Sequence, residues 1–442
     1  MIKLYTSTIM ILILTLGIAC NKETKETQDV VQETEISGFL TEHSFGSSTG
    51  LENAEMNIKF WKKKLASSPE SMTYHSKLAG AYASRFSIIK DINDLQKADS
   101  LYTVAFNLAG GKNVDNLQAM GHLAITRHKF TEAQQWGLKA LEVGDKKTAS
   151  HKLLFDALME RGDYELAKKH LSKLENKNSF AYLIRLSKYK DHEGNLDSAL
   201  HYMERAKKRI GYNHTLRAWS ESNLGDMYGH ANHIQKSYDS YMQVLHDEQT
   251  GASWLHSLEG IAWIAYAHDD NADLARQILT YVDDRIQSPG VKLKLAEIAE
   301  YQNKPLKKEQ YLQAFLEEAG KPVYQGMYDA KLIEIAATEM SNYDRAKKLV
   351  AEELRNRPNP STYNLKALNY LEMGKAEKAL EIIESKVKDR TYEPVPVLNM
   401  ARVYKANGMF EKAQEYFEQA LLAGYELGPV TVNNIKNELE QM

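Results

Sequence analysis

Apolar positions in this chain follow a helical spacing, and a small residue opens every second helix of the pattern at nearly constant intervals. Ten such positions lie 32 to 38 residues apart, and nine of them are alanine or serine. The positions are Ala98, Ala133, Ala167, Ala199, Ser237, Ala275, Lys308, Ala346, Ala379 and Ala413. Repetition of such an interval, which holds two amphipathic helices and a turn, predicts an all-α helical solenoid. A compact helical bundle, the alternative, needs no regular spacing.

The last interval, Val397–Leu421, shows how each hairpin is expected to form. Met400 and Tyr404 share one face of the first helix, and Gly408 follows where the helix must end. Glycine suits this place because a helix often ends on a residue with positive φ. The small side chain of Ala413 then lets the two helix backbones approach each other closely.

This skeleton resembles the tetratricopeptide repeat family over roughly residues 71–424. The resemblance implies a right-handed superhelical solenoid of about ten hairpins, within residues 71–425, whose first helices line a concave surface. Two hairpins depart from the family pattern. Extra residues at 87–94 predict a longer loop in the first hairpin, and Lys308 with Pro305 predicts a looser seventh hairpin.

Helices are also predicted on both sides of the repeats. Residues 51–70 contain a helix with Ile58, Trp61 and Leu65 on one face, and this helix ends before Pro69. Residues 426–442 contain a second helix, at 430–439, whose polar face would shield the open end of the stack.

Residues 1–19 have the features of an export signal. Lys3 precedes an apolar run, at 9–18, that is short for a membrane span. The run ends at Ala19 and Cys20, the only cysteine in the chain. This arrangement resembles the signal of bacterial lipoproteins, and the resemblance implies that Cys20 is lipidated. Gly17 departs from that signal because leucine is usual at this position. An ordinary secretory signal is the alternative.

Residues 20–50 are predominantly polar, and we expect a flexible tether between the lipidated cysteine and the repeats. Asn21 after the cysteine resembles signals that direct lipoproteins to the outer membrane of a bacterial envelope. The side of the membrane on which the repeats would lie stays open.

Composition excludes several kinds of function. The formal net charge is −3 with mixed basic and acidic residues, which does not favour nucleic-acid binding. A single cysteine excludes internal disulfides and cysteine-based metal sites. The sequence contains no phosphate-binding glycine loop and no hydrolase or metalloprotease motif. We therefore predict a protein that is not an enzyme, needs no cofactor and is a monomer.

Three histidines are not explained by the repeat. His192, His230 and His268 are 38 residues apart, and each precedes its hairpin's small residue by seven positions. They should therefore lie in the last turn of three consecutive first helices. Trp219 and Asp226 fall on the same helical face as His230.

Three interpretations of these residues are open. Neighbouring repeats share histidine through duplication, or the histidines with Trp219 and Asp226 contact a peptide in the groove, or they bind a metal. Spacing argues against a metal site, because packed helices lie about 8–10 Å apart and metal–nitrogen bonds are near 2.0 Å.

The sequence thus predicts a membrane-anchored scaffold that binds a protein partner at a bacterial envelope. The alternative is a glycan-binding surface lipoprotein. Glycan-capture lipoproteins also combine a lipidated cysteine with such helices, but they carry long irregular inserts, and the intervals of this chain leave no room for these. The partner and the physiological process are not written in the sequence.

Overall fold

The computed structural model describes residues 29–40, 49–247 and 251–442, and within these ranges the regular secondary structure is entirely helical. The predicted export signal and Cys20 lie outside the described residues. Among the described residues, no helix has both the length and the apolar character needed to cross a bilayer.

Ten helical hairpins follow one another along the described chain, as the spacing of small residues predicts. In hairpins 1 to 5 the first and second helices are Met72–Ile89 with Ile92–Leu108, Val114–Thr126 with Phe130–Val143, Lys147–Arg161 with Tyr164–Ser172, Phe180–His192 with Leu196–Lys207, and His214–His230 with Ile234–Leu245.

In hairpins 6 to 10 they are Ala252–Ala267 with Ala272–Asp283, Gly290–Tyr301 with Pro305–Ala319, Asp329–Thr338 with Tyr343–Asn356, Pro360–Glu372 with Ala376–Ile382, and Pro394–Ala406 with Phe410–Leu421. The second helix of hairpin 9 continues through a π-helical segment, Ile383–Val387. A short 3-10 helix, Pro322–Tyr324, lies between hairpins 7 and 8. Helices Thr49–Ser67 and Gly424–Glu440 flank the hairpins.

A fixed local register builds nine of these hairpins. In hairpins 2 to 10 a residue with positive φ lies five positions before the repeat's small-residue position, at His128, Gly162, Gly194, Asn232, Asp270, Asn303, Ser341, Gly374 and Gly408. The nine alanine and serine residues predicted at the helix crossings are all completely buried. Ser237 also satisfies its hydroxyl there by donating to the Gly225 carbonyl, 2.7 Å away. The predicted close approach of the two helices is confirmed.

The two irregular hairpins differ from the sequence prediction. The extra residues of hairpin 1 lengthen its first helix to Ile89 and do not form a long loop, because Phe86 and Ile88 are buried along the extension. In hairpin 7, Pro305 begins the second helix, where proline costs no hydrogen bond. Lys308 forms ion pairs of 3.1 Å with Glu300 in its own hairpin and with Glu339 in hairpin 8, and the second pair ties the two hairpins together.

The solenoid turns back onto itself after six hairpins. The corner between the two helices of hairpin 1 lies against the start of hairpin 7, where the amide of Gln287 donates to the carbonyl of Ile89 at 2.8 Å. At the corner of hairpin 2, the side-chain amide of Asn356, the last residue of hairpin 8, donates to the His128 carbonyl at 2.6 Å. Asn359 likewise donates to the Glu160 carbonyl at 3.0 Å.

Glycines at the next corners lie under aromatic rings from the second turn. A Cβ atom at Gly194 would lie 2.8 Å from the ring of Tyr392, and one at Gly229 would lie 2.7 Å from the ring of Tyr425. In four of these contacts the residues are 196 to 199 positions apart, slightly less than six repeats, and His128 and Asn356 are 228 positions apart. Successive turns therefore stack, and the side of the groove along hairpins 1 to 5 is closed.

An N-terminal strap, residues 29–40, packs against hairpins 5 and 6. The amides of Val30 and Val31 donate to the Asp269 carboxylate at 3.1 and 2.8 Å. Ile36 is fully buried, and the Tyr238 hydroxyl donates to Glu35 at 2.9 Å. The predicted flexible tether is therefore wrong for these twelve residues, because their few apolar side chains find a cleft on the solenoid.

The C-terminal helix caps hairpin 10 and also reaches the inner side of the first turn. Gly428 has positive φ and separates the capping part from the segment before it. In that segment the Tyr425 carbonyl accepts a hydrogen bond from Trp263 at 2.8 Å. Gly428 lies against Glu297, a residue of hairpin 7 that also accepts from the Tyr266 hydroxyl at 3.3 Å.

We expect the stacking of turns to be visible in two matched glycine substitutions. Gly374→Ala places a Cβ in open space, so its cost is the left-handed conformation alone, about 1–2 kcal/mol. Gly162→Ala has the same register, but its Cβ would lie 3.0 Å from the Cα atom of Asn359, which adds about 1–3 kcal/mol of overpacking. Thermal unfolding followed by circular dichroism should show the larger decrease in midpoint for Gly162→Ala. Equal decreases would contradict stacking.

We also expect stability to depend on pH through Glu297. Burial raises the pKa of this carboxyl to about 7. Because the pKa of Glu297 is higher in the folded protein than in the unfolded chain, its contribution to the free energy of unfolding is complete below pH 4.5. This contribution is lost as the pH rises to 7. Glu297→Gln keeps an oxygen for Tyr266 and cannot ionise, so it should match the wild type at pH 4.5 and exceed its stability at pH 8 by about 2–3 kcal/mol. Parallel stability curves from pH 4 to 8 would rule this out.

Candidate functional site

One face of the first helix of hairpin 5 forms a continuous accessible stripe. Its members recur every three or four residues and are Leu216, Trp219, Asn223, Asp226 and His230. We call this set the hairpin 5 stripe. Its first half is apolar and its second half is polar. Trp219 is 37% exposed and contacts Phe180 only edge-on, with ring centroids 6.0 Å apart.

Asp226 is the centre of the polar half. Its carboxylate accepts a hydrogen bond from the Tyr241 hydroxyl at 2.6 Å and lies 2.9 Å from Nε2 of His256, which belongs to hairpin 6. Burial alone would raise the pKa of Asp226, but the bonds from His256 and Tyr241 lower it overall. Desolvation likewise lowers the pKa of His256, and the bond to Asp226 raises it overall. The pair therefore favours carboxylate with imidazolium.

The C-terminal segment reaches the lower end of the hairpin 5 stripe. Tyr425 places its ring against Gly229, and Oε2 of Glu426 lies 3.9 Å from Nδ1 of His230. Burial raises the pKa of Glu426, which His230 partly offsets, and burial also raises the pKa of the nearby Asp191 carboxyl. Carboxylates and one histidine are thus concentrated where the two turns of the solenoid meet.

The Asp226–His256 contact belongs to a wider set of ion pairs between successive first helices. Each pair joins a carboxylate of one hairpin to a cationic side chain of the next, at 2.5 to 2.9 Å. The set consists of Asp156–Arg185, Glu160–Lys188, Asp226–His256, Glu259–Lys294 and Glu372–Arg402. These pairs hold neighbouring hairpins in register, so the Asp226–His256 pair stabilises the solenoid whether or not it also contacts a ligand.

The predicted histidine row does not form one cluster. His192 ends its helix as expected, but its ring stacks on Tyr164 with centroids 3.5 Å apart. His268 lies just beyond its helix and pairs with Asp269 at 2.7 Å, beside the N-terminal strap. Only His230 stays with Trp219 and Asp226 on the hairpin 5 stripe.

The structure adds His256, Tyr241 and the Tyr425–Glu426 pair to the predicted residues. His256 could have been found from sequence, because it lies 30 residues after Asp226 on the next first helix. Tyr425 carried no such signal, since its position depends on the number of hairpins in one turn. Among the described residues, no group of three or more histidine, aspartate, glutamate or cysteine side chains is arranged to hold a metal ion.

Comparison with known proteins connects this architecture to a family. No curated protein is significantly similar to the chain in sequence. The family model described as tetratricopeptide repeat matches residues 397–423, which form hairpin 10.

Three solved structures illustrate the structural similarity. A tetratricopeptide repeat protein from Parabacteroides merdae ATCC 43184 is 19% identical over 59% of this chain and 97% of its own, with a TM-score of 0.34. The pilF protein of Pseudomonas aeruginosa is 16% identical over 48% and 96%, with a TM-score of 0.35. Human IFIT1, solved as a dimer with PPP-AAAA, is 13% identical over 79% and 90%, with a TM-score of 0.44.

The family match covers one hairpin, and the structure shows the same helix–turn–helix unit in the nine hairpins before it. Hairpin 10 therefore matches the tetratricopeptide repeat, and the chain folds as an all-α solenoid of ten such hairpins.

Proposed function

We propose that this protein is a scaffold that binds a protein partner at a bacterial envelope, to which lipidated Cys20 anchors it. The observation that carries the proposal is the hairpin 5 stripe, an accessible row of side chains along the first helix of hairpin 5. It offers an apolar anchor point beside fixed polar groups, which is the usual composition of a protein-binding surface.

The apolar half of the stripe supplies the contact area. Leu216 and Trp219 both keep 37% of their surface exposed, and Tyr212 just before the helix is fully exposed. Tryptophan and tyrosine dominate the binding energy of many interfaces because they bury a large area with few rotatable bonds. A partner segment with an apolar side chain would cover these three residues.

The polar half is pre-organised for recognition. Asn223 donates to the Trp219 carbonyl at 2.7 Å, and Asp226 is held by Tyr241 and His256. Side chains that are already ordered lose little entropy when a partner binds. Tyr425 and Glu426 of the C-terminal segment contact the far end of the stripe at Gly229 and His230, so a partner would reach the stripe from its Tyr212 end.

Membrane anchoring rests on the sequence at Cys20. An apolar run, a small residue and a single cysteine followed by polar residues are typical of lipoprotein signals. Two or more acyl chains hold a protein stably on a membrane, whereas one chain binds only marginally. The outer membrane is the proposed location because of Asn21.

Glycan binding remains the second candidate, and one cleft favours it. Trp61 of the N-terminal helix and Tyr102 of hairpin 1 line a cleft of about 510 Å³ whose floor is made of small residues, including Gly80 and Ser84. Asn57 and Lys77 add polar groups at its edge. Aromatic rings beside amide and ammonium donors can bind the apolar face and the hydroxyls of a sugar.

Site-specific photocrosslinking in cells tests the scaffold proposal. A photoreactive phenylalanine analogue in place of Asn223 should give a discrete protein adduct, and Trp219→Ala should greatly reduce its yield. The control is the analogue at Leu138, a more exposed position on the second helix of hairpin 2, which should give none. Binding to a glycan array that Trp61→Ala abolishes, without an adduct at 223, would favour the second candidate.

Anchoring is tested by fractionation. We expect the full chain to sediment with membranes and to incorporate an alkyne-labelled fatty acid, and we expect Cys20→Ser to lose both properties while keeping its helical circular dichroism. A wild-type chain that carries no label would contradict the lipoprotein proposal.

A further inference from the structure

The corners of hairpins 7 to 10 form an uncovered edge of the solenoid. Corners of hairpins 1 to 5 lie under the second turn, whereas the described residues place no further turn over the corners of hairpins 7 to 10. The contrast is clear at glycines of identical register: Gly162 and Gly194 touch residues of the second turn, whereas a Cβ at Gly374 or Gly408 would meet nothing within 4 Å. We call the corners of hairpins 7 to 10 the free corner face.

Large apolar side chains are exposed on the free corner face. Phe130 and Phe410 both begin second helices, two positions after the positive-φ residue. Phe130 is 3% exposed because the second turn covers it, and Phe410 is 55% exposed. Leu306 at the hairpin 7 corner is 80% exposed, and Met340 at the hairpin 8 corner is also exposed.

Lysines lie at two of these corners, whereas Glu339 precedes Met340 and Glu411 follows Phe410. Lys304 and Lys307 flank Leu306, and both are exposed, with no carboxylate between residues 301 and 308. Lys375 and Lys378 are exposed at the hairpin 9 corner, beside Glu377. Exposed apolar side chains among long cationic ones are typical of surfaces that lie in a membrane interface.

The chain outside the described residues indicates what covers this face. The N-terminal strap begins at the hairpin 6 corner, where Val30 and Val31 bind Asp269, and this corner adjoins the free corner face. The Gln302 side chain of the hairpin 7 corner donates to Asp273 of the hairpin 6 corner at 3.0 Å. Asp29 lies nine positions after Cys20, and such a length of chain spans at most about 32 Å.

We propose that the free corner face contacts the surface of the membrane in which lipidated Cys20 is anchored. The inference rests on the proposed lipid anchor, which together with the docked strap keeps this end of the solenoid near the bilayer. Leu306, Met340 and Phe410 enter the headgroup layer, and the lysines contact anionic lipid headgroups. The opposite edge and the entrance to the hairpin 5 stripe then point away from the membrane.

Quenching by lipid headgroups tests this orientation. The full chain is produced with its signal so that Cys20 is consumed by the lipid, and one new cysteine carries a fluorophore at Leu306→Cys, Phe410→Cys or Leu422→Cys. Leu422 is the matched control because it is 86% exposed but lies at the opposite end of a second helix. In vesicles of phosphatidylethanolamine and phosphatidylglycerol with nitroxide headgroups, quenching should be several-fold stronger at 306 and 410 than at 422.

Further variants show whether these side chains make the contact. With the fluorophore at Ser341→Cys, the double variant Leu306→Asp with Phe410→Asp should reduce quenching severalfold, and Leu422→Asp should leave it unchanged. All three sites are exposed, and circular dichroism confirms folding.

The outcomes separate the two proposals. If Cys20 carries lipid but quenching is equal at positions 306 and 422, the membrane contact is overturned and the lipid anchor stands. The same conclusion follows if the double variant leaves the quenching at position 341 unchanged. If position 306 stays protected from a soluble quencher when vesicles are absent, a second copy of the chain covers the free corner face. This result also overturns the membrane contact. Absence of lipid on Cys20 removes the anchor and this inference with it.

Discussion

The close contact between the two helices at a buried alanine or serine determines the rest of this structure. A side chain with at most two heavy atoms at that crossing fixes the distance and angle between the helices, because larger residues would force the backbones apart. Nine fully buried small residues in one register give nine nearly equal hairpins. Equal hairpins stack with nearly equal rotations, so the solenoid closes after six of them and the seventh meets the first.

Because the solenoid closes into a stacked turn, residues at equivalent positions of the repeat have different neighbours. Corner residues of the first turn become packing surface, where Gly162 and Gly194 leave room for Asn359 and Tyr392. Corner residues of the second turn keep the same local conformation but have no such neighbour. Contact as well as φ therefore favours glycine at Gly162 and Gly194, whereas φ alone favours it at Gly374 and Gly408.

The sequence predicts the part of the structure that local periodicity encodes. The ten hairpins, their order and their buried small residues all follow from apolar spacing, because helix–helix contacts within a hairpin join residues close in sequence. The prediction from sequence failed at residues 87–94 and 29–40, because burial there depends on distant partners. The Ile89 carbonyl accepts a hydrogen bond from Gln287, and Ile36 fills a cleft near Tyr238. No local pattern contains such contacts.

In the candidate site, too, some residues follow from local spacing and others depend on distant contacts. Trp219, Asp226 and His230 share a helical face, which spacing alone predicts, and the structure keeps them together. His192 and His268 have the same register as His230 but different neighbours, Tyr164 and Asp269, so equal position in the repeat did not give equal environment. Tyr425 and Glu426 reach His230 only because six hairpins make a turn. One hairpin more or fewer per turn would bring a different segment to this histidine, so the helix crossing angle determines the composition of the site as well as the shape of the rod.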